Sequence, residues 1–203
     1  MAFSARRGLL WGLLVVTLIV IAVAAVPRLR HSEPPPVLGQ VPQFALVNRD
    51  GRTVGREDLA GAPWIADFIF TGCPASCPMM TARMARLNKE LPRSSTVRLV
   101  SFSVDPEHDT PEVLQRYAES FKAPARWLFL TGNGEQIYRL SKQGFKLGVD
   151  ASPQANGLET AEPILHSTRF VLVDGQGRIR GYYDAFDKES MKGLMRDLEA
   201  ITD

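Results

Sequence analysis

The sequence predicts an α/β sandwich, and three observations predict it. Strand and helix signals alternate along most of the chain, two hairpin signatures stand near the ends of that alternation, and the only two cysteines fall where an apolar strand gives way to a helical period. A chain of 203 residues with 45 % hydrophobic content buries one core and has residues to spare.

The spare residues come first. Gly8 to Val26 runs without a charge and is long enough to cross a bilayer core as a helix. Ala22-Val23-Ala24 offers a small-residue cleavage pattern, but secretory apolar regions are shorter than this one, so an uncleaved anchor is expected. Arg6 and Arg7 precede the segment and Arg28 and Arg30 follow it, so flanking charge does not set its orientation. Those four arginines, taken from 24 Lys+Arg, leave 20 bases against 22 Asp+Glu for the rest, which gives no basic face for nucleic acid. His31 to Pro42 is rich in proline and reads as a stiff spacer. The expected organisation is a tail over 1–7, a transmembrane anchor over 8–26, a spacer over 27–40 and one domain over 41–203.

Within the domain, Phe44–Val47 and Arg52–Val54 flank Asn-Arg-Asp-Gly as a hairpin. Trp64–Phe70 is an apolar strand that ends at the cysteines. From Pro78 the apolar positions Met80, Met84, Leu87 and Leu91 have helical spacing, and a proline suits a first helical turn. Val97–Val104 is the next strand, followed by a helix capped by Thr110 and Pro111 with an expected core face of Val113, Tyr117 and Phe121. A strand at Ala125–Leu130, a helix around Glu135–Gly144, a hairpin from Thr168 to Tyr183 turning at Asp-Gly-Gln-Gly, and a helix from Asp187 to Ile201 complete the pattern. The sum is a thioredoxin-type sandwich with Cys73 and Cys77 at its first strand-to-helix turn.

Cys73 and Cys77 are four positions apart, which places both thiols on one face of a helical turn. Two thiolates so placed can grip one ion or close to a disulfide after local adjustment, and the helix N-terminus favours thiolate over thiol. A purely structural bridge across so short a loop removes little chain entropy. A two-cysteine metal site wants a third ligand, and the chain has three histidines. His31 lies in the spacer and His108 in a polar turn, whereas His166 stands at the end of a polar loop just before a strand that lies beside the cysteine turn in such a sheet. A histidine at a strand start has an ordinary structural reading as well.

The stretches FIFTGCPASCPMM, SVDPEHDTPEVLQRYAESF and LHSTRFVLVDGQGRIRGYY, behind one anchor, resemble the Sco/SenC family of copper-binding assembly factors for cytochrome c oxidase. The resemblance covers about Gln40 to Asp203, and V-D-P-x-x-D-T-P is shared with peroxiredoxin relatives. It implies a thioredoxin-like, peroxiredoxin-related fold and copper, as Cu(I) or Cu(II), held by Cys73, Cys77 and His166. It further implies a copper donor protein, delivery to the binuclear copper centre of oxidase subunit II, and an inner-membrane protein whose domain faces the periplasm. Two thiolates and an imidazole make a soft site suited to Cu(I). The same dithiol is a redox-active pair that could reduce the acceptor's cysteines.

Family members often carry Asp before the histidine and an acidic residue between the cysteines, where this chain has Leu165 and Ala75-Ser76. Asp67, Asp105 and Asp109 have ordinary readings as a strand-end contact, a turn former and a cap. Met80 and Met84 read as core, with Met79 alone facing the site. Two rival activities use the same residues: a thiol–disulfide oxidoreductase attacking through Cys73, indifferent to His166, and a peroxiredoxin-like peroxidase that needs an arginine beside Cys73. A sensor that binds copper and passes nothing on is the third rival.

Overall fold

The structure, a computed structural model, describes residues 33–147 and 167–202 together with Trp11, residues 14–17 and Ile19. The chain forms two units, Met1–Glu33 and Pro34–Asp203. In the first, the described residues from Trp11 to Ile19 are helical and exposed. Among the described residues no helix is long and apolar enough to cross a membrane, and most of the expected anchor over 8–26 lies outside them.

The second unit is a mixed α/β sandwich around one sheet. Its strands are β1 (Gly39–Gln40), β2 (Ala45–Asn48), β3 (Thr53–Gly55), β4 (Trp64–Ile69), β5 (Arg98–Ser103), β6 (Trp127–Thr131), β7 (Arg169–Val173) and β8 (Arg178–Asp184). Its helices are α1 (Ser76–Glu90), α2 (Pro111–Ser120), α3 (Gly134–Arg139) and α4 (Lys188–Thr202). The spatial order is β1-β8-β7-β4-β5-β6-β2-β3. β4, β5 and β6 run parallel, and β7 joins β4 antiparallel. Every residue of β4 is buried, as expected for a central strand covered on both faces.

Alternation along the strands separates two cores. Ile65, Ile69, Leu99, Trp127, Phe129, Phe170 and Leu172 face Met80, Met84 and Leu87 of α1, Leu114 and Ala118 of α2, and Leu194 and Leu198 of α4. On the other face Trp64, Phe68, Val100, Phe102 and Val171 pack against Ile137, Leu140 and Phe145. Phe68, Phe102 and Phe145 form an aromatic cluster there, with centroids 5.0 Å, 5.2 Å and 5.5 Å apart. Both hairpins turn where the sequence predicts, with Gly51 and Gly177 at φ of 76°, a region open to glycine at little cost.

Three elements differ from expectation. The last residues of the expected spacer, Gly39 and Gln40, form an edge strand on β8, and the compact unit begins at Pro34. In α2 the fully buried positions are Leu114 and Ala118, while Val113, Tyr117 and Phe121 sit half-buried at its margin. The helix around Glu135–Gly144 is α-helical only to Arg139 and continues as a π-turn over Leu140–Gly144.

Candidate metal and redox site

β4 delivers the chain to the site as one continuous apolar run, and Phe70-Thr71-Gly72 turns it into α1. The N–H of Cys73 closes this turn on the Phe70 carbonyl at 3.3 Å. Helix α1 then starts at Ser76, with no side-chain cap of its own. The Cys77 N–H, one of the donors a helix start leaves free, points instead at Cys73 Sγ, 3.5 Å away. Ser76 Oγ lies 3.6 Å from the same sulfur.

Both cysteines are free thiols and both are buried, at 6 % and 4 % exposure. Their acidities nonetheless diverge. Burial opposes ionisation of Cys73, but the N–H groups of Cys77 and Ala75 and the Ser76 hydroxyl outweigh it and hold the thiol below its ordinary value. For Cys77 burial dominates and, with the neighbouring Cys73 and Asp67, pushes the thiol up to about 12. The helix N-terminus therefore favours the thiolate of Cys73, in the turn that precedes the helix, and not that of Cys77 within it. One sulfur is ready to attack or ligate, and its neighbour holds its proton.

Behind Cys77 the α1 face of the sheet is unusually polar. Thr81 Oγ1 donates to the Cys77 carbonyl at 2.8 Å and lies 2.9 Å from the Tyr117 hydroxyl. Asp67, in mid-strand beside Ser101, is fully buried, and neither carboxylate oxygen has a hydrogen-bond partner of good geometry among the described residues. Burial drives its carboxyl up to about 7, with the Ser101 hydroxyl and the Asp67 backbone giving partial relief. The expected strand-end contact is thus a sequestered acid.

Asp109 also departs from its expected role. Thr110, not Asp109, caps α2, its side chain accepting from the Val113 N–H. Asp109 instead accepts from the Thr71 N–H, the Thr71 hydroxyl and the Ser103 hydroxyl. Sequence reasoning had no signal for this link across 38 residues beyond the short polar run around Asp109.

The other candidates separate. His108 is exposed and pairs with Asp105 at 2.8 Å, and that carboxylate raises the imidazole's pKa. Met80 and Met84 are core residues, and Met79 is 53 % exposed on the outer side of α1. His31, Leu165 and His166 lie outside the described residues. Among the described residues no group of three or more His, Cys, Asp or Glu could hold a metal ion, so the sulfur pair is the part of the expected ligand set that is in view. Two adjacent sulfurs, one biased to thiolate, are a donor set fit for a soft ion such as Cu(I).

The sequence pattern that defines the SCO1/SenC family matches residues 35–203. The chain is 34 % identical over 170 residues to the SCO1 protein homolog of Bacillus subtilis, covering 82 % of this chain and 85 % of that one. Its fold matches that of BsSco, described as carrying a disulfide switch and as a member of the Sco family of cytochrome c oxidase assembly proteins. That match has a TM-score of 0.71 and 32 % identity, over 84 % of this chain and 98 % of the other. Arabidopsis thaliana ScoI, solved with copper bound, has the same fold, with a TM-score of 0.64 and 23 % identity over 79 % of this chain and 99 % of that one. The thioredoxin-like α/β architecture expected from the sequence is therefore the one observed. The chain belongs to the SCO1/SenC family.

Proposed function

We propose that this protein is a membrane-anchored copper chaperone. Cys73, Cys77 and His166 take copper from a donor protein and pass it to the binuclear copper centre of cytochrome c oxidase subunit II. The segment 8–26 anchors the chain in the inner membrane, and the domain faces the periplasm, where that acceptor is exposed. The observation that carries the reading is the sulfur pair at the head of α1, with one thiol lowered and one raised in pKa. Membership of the SCO1/SenC family and the copper-bound state of Arabidopsis ScoI support it.

The asymmetry of the pair suits a carrier. Cys73 offers a thiolate to an arriving ion, and Cys77 gives up its proton only as the second bond forms. On transfer, reprotonation of Cys77 helps the ion leave. Three ligands leave Cu(I) open to an incoming acceptor group. Oxidation of the pair to a Cys73–Cys77 disulfide removes both sulfur ligands, so carriage requires the dithiol.

The same asymmetry favours a second reading, a thiol–disulfide oxidoreductase with Cys73 attacking and Cys77 resolving. A peroxidase finds less support. Among the described residues the groups that meet Cys73 Sγ are the Cys77 and Ala75 N–H groups and Ser76 Oγ, with no arginine, and Thr71 is committed to Asp109.

Titration of the reduced, detergent-held chain with Cu(I) against a competing chelator tests the proposal, comparing wild type with Cys73→Ser and His166→Ala. The chaperone reading expects one-to-one binding that both substitutions weaken by at least about tenfold. Binding unaffected by His166→Ala, with disulfide reduction intact, makes the oxidoreductase the better account.

A further inference from the structure

Asp109 is a carboxylate with no measurable exposure, and among the described residues it forms no salt bridge. Its two oxygens are nevertheless fully engaged. Oδ1 accepts from Thr71 Oγ1 at 2.5 Å, and Oδ2 accepts from the Thr71 N–H at 3.1 Å and from Ser103 Oγ at 2.6 Å. The Thr71 N–H can only donate, whereas the two hydroxyls donate here but could also accept. An amide at this position would meet one of the hydroxyls with its N–H, and a bond as short as the one to Thr71 Oγ1 would have to lengthen, shifting the turn.

The three donors belong to places that matter for the sulfurs. Thr71 lies two residues before Cys73, in the turn that leaves β4. Ser103 ends β5, the parallel neighbour of β4, and is in register with Ile69. Its hydroxyl also accepts from the Asp105 N–H at 3.1 Å, and the Asp109 N–H returns to the Asp105 carbonyl at 2.8 Å. The Asp105–Asp109 turn is thereby bound to the ends of both central strands. The contact that depends on this frame is the one Cys73 Sγ accepts from the Cys77 N–H at 3.5 Å, and its geometry follows the path of the turn.

We propose that Asp109 is a positioning residue for the sulfur pair: by holding Thr71 it fixes the turn in which Cys73 Sγ meets the first N–H groups of α1. The inference rests on the copper-carrier reading for one of its readouts only. Asp109 touches neither sulfur nor cargo; it acts through Thr71. Thr71→Val removes one of the bonds and leaves the carboxylate in place, so it separates geometry from charge, and Thr71→Ser keeps both donors.

The test measures three quantities on the reduced chain: the alkylation rate of Cys73 by iodoacetamide at fixed neutral pH, the midpoint potential of the Cys73–Cys77 couple in glutathione buffers, and Cu(I) affinity against a chelator. Asp109→Asn and Thr71→Val are expected to slow Cys73 alkylation, to shift the potential, and to weaken Cu(I) binding about 10- to 100-fold, with Thr71→Ser restoring all three. Thr110→Ala, which loosens the start of α2 without touching these bonds, is expected to leave them unchanged. Wild-type values in a folded Asp109→Asn chain, or equal changes in Thr110→Ala, overturn the assignment. Should Asp109→Asn fail to fold, the contrast between Thr71→Val and Thr71→Ser decides, and identical values in that pair overturn it. A wild-type chain that does not bind Cu(I) defeats the carrier reading, and Asp109 is then judged by alkylation rate and potential alone.

Discussion

At the scale of single residues, the site is defined by three acids with displaced proton affinities: Cys73 lowered, Cys77 raised to about 12, and Asp67 raised to about 7. Alkylation at about pH 8 should therefore label Cys73 first, with Cys77 slower by orders of magnitude because so little of it is thiolate. Peptide mass spectrometry over a time course checks the order, and equal labelling would contradict it. Asp67 makes a prediction of opposite kind. A carboxyl whose folded pKa lies above its unfolded value of 3.8 binds its proton more tightly when folded, so it costs stability as pH rises from about 4 to about 7, and the full cost persists above that. Asp67→Asn cannot ionise, so its stability relative to wild type should grow across that window, by at most on the order of 4 kcal/mol, and then level off. Chemical denaturation at several pH values measures the difference, and a constant offset would show that the acid is not sequestered.

At the scale of elements, what the sequence made legible and what it hid have physical reasons. β4, β5 and the hairpins were legible because apolar runs and Asx–Gly turns are local signals, and the start of α2 because Thr110-Pro111 is one too. The two-residue β1 carries no pattern, being held by backbone bonds to β8. The core face of α2 was misread by one position. Val113, Tyr117 and Phe121 form a tempting stripe, but the larger rings sit at the margin, where Tyr117 meets Phe121 in a tilted contact at 5.0 Å and reaches Thr81 with its hydroxyl. The cysteine turn stood out in the sequence through the spacing of Cys73 and Cys77 together with their place between an apolar strand and a helical period. The frame that holds it, from Asp109 to Thr71 and Ser103, joins residues far apart in sequence and is visible only once the sheet is assembled. Two element-scale substitutions grade these roles. Thr110→Ala should lower stability by about 1 kcal/mol through loss of the cap, while Met84→Ala, which empties a fully buried site between α1 and the sheet, should cost about 2–5 kcal/mol. Thermal or denaturant unfolding of the two variants gives the comparison, and a Thr110→Ala cost as large as that of Met84→Ala would contradict it.

At the scale of the whole molecule, the fold sets the conditions under which cargo is gained and lost. A sheet covered on both faces places the head of α1 over a buried acid and a polar cluster, so Cys77 is surrounded by groups that oppose a bare negative charge. On the copper-carrier reading the ion supplies the compensating charge, and taking it up expels a proton. Between the lowered pKa of Cys73 and the raised pKa of Cys77, one thiol proton is displaced per ion, so the apparent Cu(I) affinity should rise about tenfold for each pH unit. Below the pKa of Cys73 a second thiol proton enters. Chelator competition at about pH 6, 7 and 8, corrected for the chelator's own protonation, measures the slope. A slope of one or more across this range means that the sulfur pair carries the ion and that an acidic surrounding favours release. A flat profile would mean that the ion does not engage the Cys77 thiolate, and copper carriage by this pair would have to be given up in favour of thiol exchange through Cys73.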